Sequence, residues 1–556
     1  MTRGHSIATV VLVVIAFLVI YPIFMLLFGS FKGGPPGQPA PFTLHGYATA
    51  YASRETYNVL FNTVWLSLVR VVLALFMGVF LAWVVTRTDT PKRSLLEALI
   101  WIQFFLPSLP LVMAWILLGS ETGFLNQFLA KVFHLQNPVF DIFSYGGIIW
   151  VSTINWAAVI FILITPAFRG MDAALEESSR MAGANTLTTL RHITLPVLLP
   201  SILGATMLVF LRLLESFEIE LFLGYGVGIY VYTTRIWWLL GITPADYPQA
   251  LAMSMSFLAI VFFLIAIQWK LLAGKQFVTI TGRGFATRPT KLGKWRYVTL
   301  GLVLLYFFIA VVLPLSVLAL GTFMRIWGVY VADPYTLKNW ARTLADERFL
   351  ASLRNTMYVA LGSATVGMIL YSIISYIVVR SRYAGRKALD FVSWLPWGVP
   401  GLVLALGFMW AYVGGLPFLS SLFGTIWLLM LVFLVKGLPL GVRVMNGAMV
   451  QLGNELEESS RVLGASWTYT FRRILAPLIS PAFVSAWIIL FMLTIRDLVT
   501  VIFLYTPKSR LLSVILYEHW MAGEYESATV VGMILAAVAI VVSLVAREYG
   551  RRVSSL

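Results

Sequence analysis

Two stretches of this 556-residue chain are copies of each other, and this duplication limits the folds that the chain can adopt. Residues 176–203 and 457–484, the copied segments, are identical at 12 of 28 positions without a gap, at a constant offset of 281 residues. The offset is close to half of the chain length. The chain is therefore predicted to fold as two homologous halves in tandem, each of which carries the same polar segment.

The rest of the sequence is strongly apolar. Hydrophobic residues make up 60% of the chain and charged residues only 12%, whereas soluble domains contain about 25% charged residues. Ile7–Phe28 and Tyr297–Met324 contain no charged side chain, and each is long enough to cross a hydrocarbon core of roughly 30 Å. These features exclude a soluble globule and predict an all-α polytopic membrane protein.

Twelve apolar segments of spanning length divide equally between the halves. The predicted spans lie near residues 7–29, 59–86, 96–118, 146–168, 197–221 and 248–270, and near residues 297–323, 354–379, 389–413, 422–442, 478–505 and 528–546. We therefore predict a first six-helix half at residues 1–270, a basic linker at 271–296 and a second six-helix half at 297–556. Because six is even, both halves have the same orientation and form a parallel repeat.

The basic residues predict the orientation. With the N-terminus inside, 25 of the 40 Lys and Arg residues fall in cytoplasmic stretches, as the positive-inside rule requires. This arrangement predicts that both termini, the linker and both copied segments are cytoplasmic. The formal net charge of +16 is explained by this topology, so we do not expect a nucleic-acid partner.

The copied segments share an internal spacing. In each, a glutamate is followed by glycine after six residues, isoleucine after ten more and proline after three more. The spacing predicts two short helices joined by a left-handed turn at the glycine, with the proline at the start of the next membrane helix. An ordinary amphipathic interfacial loop is the alternative, but two copies with one spacing favour a docking surface for a soluble partner.

This spacing resembles the signature of the permease subunits of ATP-binding-cassette importers, which is E-A-A, three residues, G, nine residues, I-x-L-P. The first copy matches at Glu177, Gly183 and Ile193–Pro196, and the second departs at Ala476, where the signature has leucine. Serine replaces both alanines in each copy. Further similarities lie at Asn62-Thr63 and Asn355-Thr356 in the second span of each half, and at Leu106-Pro107 and Leu395-Pro396 in the third.

The resemblance implies the type I importer fold in a bacterial inner membrane. It assigns Glu177, Gly183, Glu458 and Gly464 to the contact with two cytoplasmic ATP-binding-cassette ATPase subunits. The chain contains no G-x-x-x-x-G-K-[ST] phosphate loop, so we expect ATP to bind to those partners. No catalytic residue, cofactor or metal site is expected on this chain, and an extracytoplasmic binding protein is expected to deliver the substrate.

Charged residues also occur inside predicted spans. Arg212, Glu215 and Glu218 lie in the fifth span, and Arg496 and Asp497 lie in the eleventh. Intramembrane charges cost about 2.5–3.5 kcal/mol and usually face a partner or a wet cavity. Glu215 and Arg496 are equivalent under the offset, which predicts that they meet near the pseudo-twofold axis. The cluster is interpreted as a substrate pathway or outer gate, and the alternative is an Arg212–Glu215 pair that only holds helices together.

The substrate is indicated by resemblance alone. Residues 215–237, residues 495–517 and the TITGRG motif of the linker are most similar to the ferric-iron group of fused double-length permeases. An importer of a small organic solute (a polyamine, thiamine or a phosphonate) is the alternative. An ion-driven secondary transporter is also consistent with two parallel halves, but such a carrier would not need the copied segments. An ion channel is disfavoured because the sequence contains no loop that resembles a selectivity filter.

Overall fold

The computed structural model describes residues 2–135, 137–272, 289–329, 333–453 and 455–554. Within these ranges the chain is helical and forms no β-strand. Eleven of the described helices are long and apolar enough to cross a membrane, or twelve when one bent pair counts as a span. The predicted all-α architecture of two six-span halves is confirmed.

The six spans of each half follow in chain order. In the first half they are Thr2–Ser30, Arg54–Arg87, the pair Arg93–Phe105 and Ser108–Gly119, Tyr145–Gly170, Leu195–Leu214 and Tyr247–Leu272. In the second half they are Trp295–Phe323, Glu347–Arg380, the pair Arg386–Trp394 and Gly401–Val413, Ile426–Gln451, Ala476–Arg496 and Tyr525–Ser554. A helix satisfies its own backbone groups, which is why apolar segments of this length fold as helices in lipid.

Shorter helices connect the spans. The described connections contain His45–Ala52, Phe124–Phe133, Ala173–Met181, Thr186–Thr189, Glu218–Leu223 and Tyr232–Gly241 in the first half, and Lys338–Ala345, Glu455–Val462, Trp467–Thr470 and Leu512–Met521 in the second. π-Helical turns lie at Leu190–Thr194, Phe308–Val312 and Phe471–Leu475.

Span 3 is broken in both halves, although the sequence predicted unbroken spans near residues 96–118 and 389–413. In the first half, Leu106 and Pro107 separate the two helices. In the second half, the two helices meet at 111° across a break that contains Pro400. Proline has no backbone N–H and its ring clashes with the preceding turn, so a helix ends there. Each break thus contains a proline, Pro107 in the first half and Pro400 in the second, whereas the Pro396 of the second Leu-Pro pair lies in the short helix before the break.

The two halves interlock through their first spans. Span 1 of the first half packs against span 3 of the second half, and span 1 of the second half packs against span 3 of the first. Gly407 allows one of these contacts, because a Cβ atom there would lie 2.8 Å from the carbonyl oxygen of Pro22. Leu416 also donates its backbone N–H to the hydroxyl of Tyr21 at 3.0 Å. Each half therefore buries its first span against the other half.

The linker was predicted at residues 271–296, and its residues 273–288 lie outside the described residues. Its last part docks on the first half. Thr290 donates its backbone N–H to the carbonyl of Arg87 at 2.8 Å, and Leu292 donates to Asp89 Oδ1 at 2.9 Å. This end of the linker therefore lies beside the end of span 2.

Spans 2 and 4 pack along each other in both halves, with opposite distributions of volume. In the first half, a Cβ atom on Gly78 would lie 2.6 Å from the side chain of Ile160. In the second half, the corresponding contact joins Tyr371 of span 2 to Gly441 of span 4, where a Cβ atom would lie 2.0 Å from the tyrosine ring. The small residue lies on span 2 in the first half and on span 4 in the second half. Each interface is therefore close-packed, with the large and small residues exchanged.

The chain that follows span 5 is fastened to span 2 in each half. Tyr232 donates its backbone N–H to Thr63 Oγ1, and Leu512 donates to Thr356 Oγ1, both at 2.8 Å. Asn62 donates to the carbonyl of Tyr230, and Asn355 donates to the carbonyl of Arg510. The Asn-Thr pairs found in the sequence thus hold the end of the molecule opposite the copied segments.

Candidate functional site

The copied segments form the same structure twice. Each begins in a short helix, Ala173–Met181 or Glu455–Val462, which we call the copied helix. The helix ends at a glycine in the left-handed region, with φ of +89° at Gly183 and +79° at Gly464. Ala184 closes the first of these turns by donating to the carbonyl of Ser179 at 3.1 Å. The left-handed glycine turn predicted from the spacing is confirmed in both copies.

The predicted second short helix is present, at Thr186–Thr189 and Trp467–Thr470, but no loop separates it from span 5. After the glycine, the chain runs as one helix through a π-helical turn into span 5, over Thr186–Leu214 in the first half and Thr468–Arg496 in the second. Pro196 and Pro477 are the second residues after the π turns. In each π turn the residue before the proline bonds five residues back, Leu195 to Leu190 and Ala476 to Phe471. The helix continues past the proline, which has no N–H of its own to donate.

Hydroxyl groups hold each copied helix against the base of the following helix. Ser179 and Thr189 share a hydrogen bond of 3.0 Å, and Ser460 and Thr470 share one of 2.7 Å. These serines replace the second alanine of the importer signature, which could not form the bond. The copied helix is thereby tied to span 5 of its own half.

The two adjacent glutamates of each copied helix face different surroundings. Glu177 is half-buried and Glu458 is exposed. Glu176 is only 2% exposed and forms an ion pair of 2.9 Å with Arg87. Glu457 lies 3.6 Å from Arg380 in the same way. The sequence did not point to the inner glutamates or the two arginines as functional residues.

The intramembrane charges come together at the end of span 5, but not in the predicted pairs. Span 5 of the first half ends at Leu214, and Glu218 belongs to a separate short helix. Arg212 forms an ion pair of 3.0 Å with Glu215 and also donates to the carbonyl of Trp397 at 3.3 Å. Because Glu215 already has this partner on its own helix, the predicted Glu215–Arg496 pair does not form among the described ion pairs.

Arg496 instead reaches the broken third span of the first half. It donates to the backbone carbonyls of Phe104 at 3.0 Å and Leu106 at 3.4 Å. Asp497 is bound by Lys436 from span 4 of the second half. The fifth span of each half therefore contacts the third span of the other half through an arginine.

Three further polar residues complete this charged cluster. Ser108 donates a hydrogen bond to Glu218, Lys436 binds Asp497, and Thr500 accepts a hydrogen bond from Lys436 at 2.6 Å. Ser108 follows the break in span 3, and Lys436 is a lone charge within an apolar stretch of span 4. That isolated lysine was the signal in the sequence that could have identified it.

The charged cluster is partly accessible to solvent. The side chains of Arg212 and Lys436 are 26% and 35% exposed, and those of Glu215 and Asp497 are 11% and 10% exposed. Exposure of a charge to hydrocarbon is costly, so exposed charges within a membrane face water. The cluster contains three cations and three carboxylates, which offset one another at the junction of the two halves.

A second intramembrane pair is fully buried and lies outside the cluster. Arg70 of span 2 binds Glu220, and both side chains are 0% exposed. Glu220 also accepts a hydrogen bond from Ser216 at 2.6 Å. This pair fixes the chain after span 5 to span 2 and has no access to a pathway. Among the described residues, no three His, Cys, Asp or Glu side chains are grouped so that they could hold a metal ion.

Comparison with known proteins gives a consistent result for both halves. A family model described as "Binding-protein-dependent transport system inner membrane component" matches residues 74–274 and again residues 363–555. The ferric transport system permease protein FbpB of Actinobacillus pleuropneumoniae is 24% identical over 546 residues, covering 96% of this chain and 76% of that protein. The Fe(3+)-transport system permease protein FbpB 2 of Haemophilus influenzae is 22% identical, covering 86% of this chain and 87% of that protein.

A solved structure also shows similarity. It is the crystal structure of a bacterial ABC transporter involved in the import of the acidic polysaccharide alginate. The two chains are 21% identical, with a TM-score of 0.38, and the match covers 46% of this chain and 94% of the other.

Proposed function

The chain belongs to the family of binding-protein-dependent transport system inner membrane components, and on that premise we propose that it carries ferric iron across the bacterial inner membrane. It is a fused double-length permease of the ABC importer type, in which one polypeptide supplies both halves. The similarity to ferric transport permeases over nearly the whole chain carries the proposal of iron as the cargo.

In this proposal, an extracytoplasmic binding protein delivers the iron and two ATPase subunits drive its passage. The copied segments supply the ATPase contact. Each presents a short polar helix outside the apolar spans, and its outer glutamate, Glu177 or Glu458, is less buried than the inner glutamate beside it. The left-handed turns at Gly183 and Gly464 hold the two copied helices in matching positions. One permease chain therefore offers two docking sites for two ATPase subunits.

The orientation follows from the same assignment. With both copied segments facing the ATPase subunits, the termini are cytoplasmic, which is the side that the basic residues favour. Thr9, near the N-terminus, shares a hydrogen bond of 3.1 Å with Tyr383, which follows span 2 of the second half on the side of its copied segment. This contact supports a cytoplasmic N-terminus.

The charged cluster is proposed to line the pathway as an outer gate. The groups that form it come from both halves and lie near the ends of the fifth spans, away from the copied segments. In the closed state their charges offset one another. When the halves separate in alternating access, Arg212 loses the carbonyl of Trp397 and Arg496 loses those of Phe104 and Leu106. The junction then opens and exposes the carboxylates of the cluster to a passing cation.

Uptake of radioactive iron tests the proposal. Cells would express this chain together with the binding protein and the ATPase subunits that assemble with it. We expect ATP-dependent uptake of ferric iron that requires the permease and is lost in the Gly183→Asp variant. Unchanged iron uptake without the permease, together with permease-dependent uptake of a polyamine, thiamine or a phosphonate, would assign the cargo to the organic solutes instead.

A further inference from the structure

We propose that Arg87 and Arg380 are positioning residues that transmit the movement of the copied helices to the membrane spans. The proposal rests on the proposed function, because it concerns how an ATPase contact at the copied helices reaches the pathway. It adds two residues that neither the importer signature nor the charged cluster includes. We call each arginine, with the groups that it binds, a staple.

The first staple joins three elements at one buried guanidinium. Arg87 is the last residue of span 2, and its side chain is 1% exposed. It donates to the carbonyls of Phe168 at 3.5 Å and Met171 at 3.2 Å, at the end of span 4. It also forms the 2.9 Å ion pair with Glu176 of the copied helix. Span 2, span 4 and the copied helix are therefore bound to a single side chain.

The second staple repeats the first at equivalent positions. Arg380 is the last residue of span 2 in the second half, and its side chain is 7% exposed. It donates to the carbonyls of Met449, at 2.9 Å, and Leu452. These residues correspond to Phe168 and Met171 under the 281-residue offset. The arginine also lies 3.6 Å from Glu457 of the copied helix.

The physical chemistry of the staple makes it rigid. The last carbonyls of a helix lack intrahelical partners and carry partial negative charge, so a cation is stabilised beside them. A guanidinium offers five donors in a fixed plane and can therefore serve several acceptors at once. Removing Glu176 would leave a buried cation without its counter-charge, which is strongly unfavourable. The copied helix can thus move only with the ends of spans 2 and 4.

The staples connect the copied helix to membrane spans on two sides. The hydroxyl pair Ser179–Thr189 binds it to the base of span 5, and the staple binds it to spans 2 and 4. A displacement of the copied helix is therefore shared by three spans of its half. Among the described contacts, Ser179–Thr189 and Glu176–Thr194 would still connect the first copied helix to the base of span 5 after loss of Arg87.

The two staples differ in one contact. Glu176 also accepts a hydrogen bond from Thr194 Oγ1 at 2.8 Å, in the π turn at the base of span 5. The equivalent residue in the second half is Leu475, which has no hydroxyl. Glu457 accepts instead from the hydroxyl of Tyr376 in span 2, at 3.2 Å. The first staple thus includes span 5 directly, so we expect its loss to have the larger effect.

Distance measurements on the complete complex test the proposal independently of the cargo. The chain has no cysteine, so spin labels can be placed at Glu121→Cys and Ser420→Cys. These exposed positions follow span 3 in the two halves. The purified complex of permease, ATPase subunits and binding protein would be measured without nucleotide and after trapping with ATP and vanadate. In the unmodified background we expect the distance between the labels to change on trapping.

Removing the staples should abolish that change while the ATPase subunits stay bound. We expect Arg87→Gln to reduce the change severalfold, Arg380→Gln to reduce it less and the double variant to remove it. Arg87→Lys, which keeps the charge but not the planar fork, should restore part of it. The matched control is Arg169→Gln, which breaks an exposed ion pair with Glu97 near the end of span 4 and should leave the change intact.

Failure of the staple and failure of the proposed function give different results in this experiment. A full distance change in the double arginine variant would overturn the proposal. Loss of the ATPase subunits from both Arg87→Gln and Arg87→Lys would also overturn it, because the arginine would then be needed for docking of those subunits. If the unmodified complex shows no change on trapping, alternating access itself fails, and the inference fails with it. If Arg87→Gln does not fold, the double variant Arg87→Gln, Glu176→Gln provides the same test, since it leaves neither charge buried without a partner and the amide at position 176 can still accept from Thr194.

Discussion

Arg212, near the end of span 5 in the first half, donates a hydrogen bond to the backbone carbonyl of Trp397 in the broken span 3 of the second half. Its guanidinium also lies over the indole ring, 4.4 Å from the centroid. Arg496 makes the reciprocal contact with the carbonyls of Phe104 and Leu106 in the first half. A broken helix leaves carbonyls without helical partners, and each half supplies an arginine to the break in the other.

This arrangement predicts which substitution compensates for the loss of Glu215. Glu215→Gln leaves Arg212 without its carboxylate and should lower the free energy of unfolding by about 1–3 kcal/mol, a range between those of exposed and buried pairs. Transport should also fall severalfold. Arg212→Gln in the same chain should restore part of both quantities, whereas Arg496→Gln should not, because Arg212 is the residue 3.0 Å away.

Thermal stability and transport per folded molecule are to be measured on the same purified variants. If Glu215→Gln lowers only the melting temperature and each folded molecule transports normally, the charged cluster is structural and does not belong to the pathway.

The predicted orientation can be checked by cysteine labelling in intact cells. Met181 and Val462 occupy equivalent positions in the copied helices and are 89% and 86% exposed. Single cysteines there should resist a membrane-impermeant thiol reagent and react after the cells are opened. Glu121→Cys, on the opposite side, is the control that should react at once. Labelling of either copied helix from outside would reverse the assigned topology.

Substitutions of Gly183 should follow the cost of a left-handed backbone conformation. A Cβ atom at this position would meet nothing within 4 Å, but φ is +89°. The expected order of ATPase affinity is therefore glycine, asparagine, alanine and valine, since asparagine tolerates this region and branched residues do not. The strain is about 1–2 kcal/mol for an ordinary residue. The same order is expected at Gly464.

Copurification of the ATPase subunits at graded salt concentrations measures that order. Equal binding by Gly183→Asn and Gly183→Val would show that the turn has no part in docking.

The contact between spans 2 and 4 predicts a compensating pair in the second half. A large side chain at Gly441 would clash with Tyr371, and overpacking of this kind costs about 1–3 kcal/mol. Gly441→Ile should therefore lower the melting temperature. Tyr371→Gly in the same chain reproduces the Gly78–Ile160 pair of the first half and should recover much of the loss. If the double variant is no more stable than Gly441→Ile alone, the two positions are not coupled.

Local patterns in the sequence predicted the parts of the fold that depend on nearby residues. Uncharged runs identified the spans, because hydrocarbon excludes charge at any position. The glycine of each copied segment predicted its own left-handed turn, since that conformation is a property of one residue. The prolines of span 3 were noted in the sequence, but a proline in a membrane helix can also be accommodated without a break.

The pairing of charges was not predictable from local patterns. Arg87 and Glu176 are separated by 89 positions. Because Arg87 lies at the end of a span, it could not be distinguished from the basic residues that the positive-inside rule accounts for. Glu215 and Arg496 are equivalent under the repeat, yet each has a nearer partner. The 281-residue offset identifies equivalent positions in the sequence. Contacts depend on how the two halves pack against each other, and a sequence repeat does not predict that packing.

The continuous helix that links each copied segment to the charged cluster has a geometric consequence. Thr186–Leu214 and Thr468–Arg496 contain 29 residues each, which corresponds to about 43 Å at 1.5 Å per residue. Each is therefore a lever arm that crosses the whole bilayer. A tilt of only about 5° about the end nearest the copied helix displaces the far end by nearly 4 Å on that length, more than the length of a hydrogen bond. A movement too small to disturb the copied helix is thus amplified enough to separate an arginine from its carbonyl.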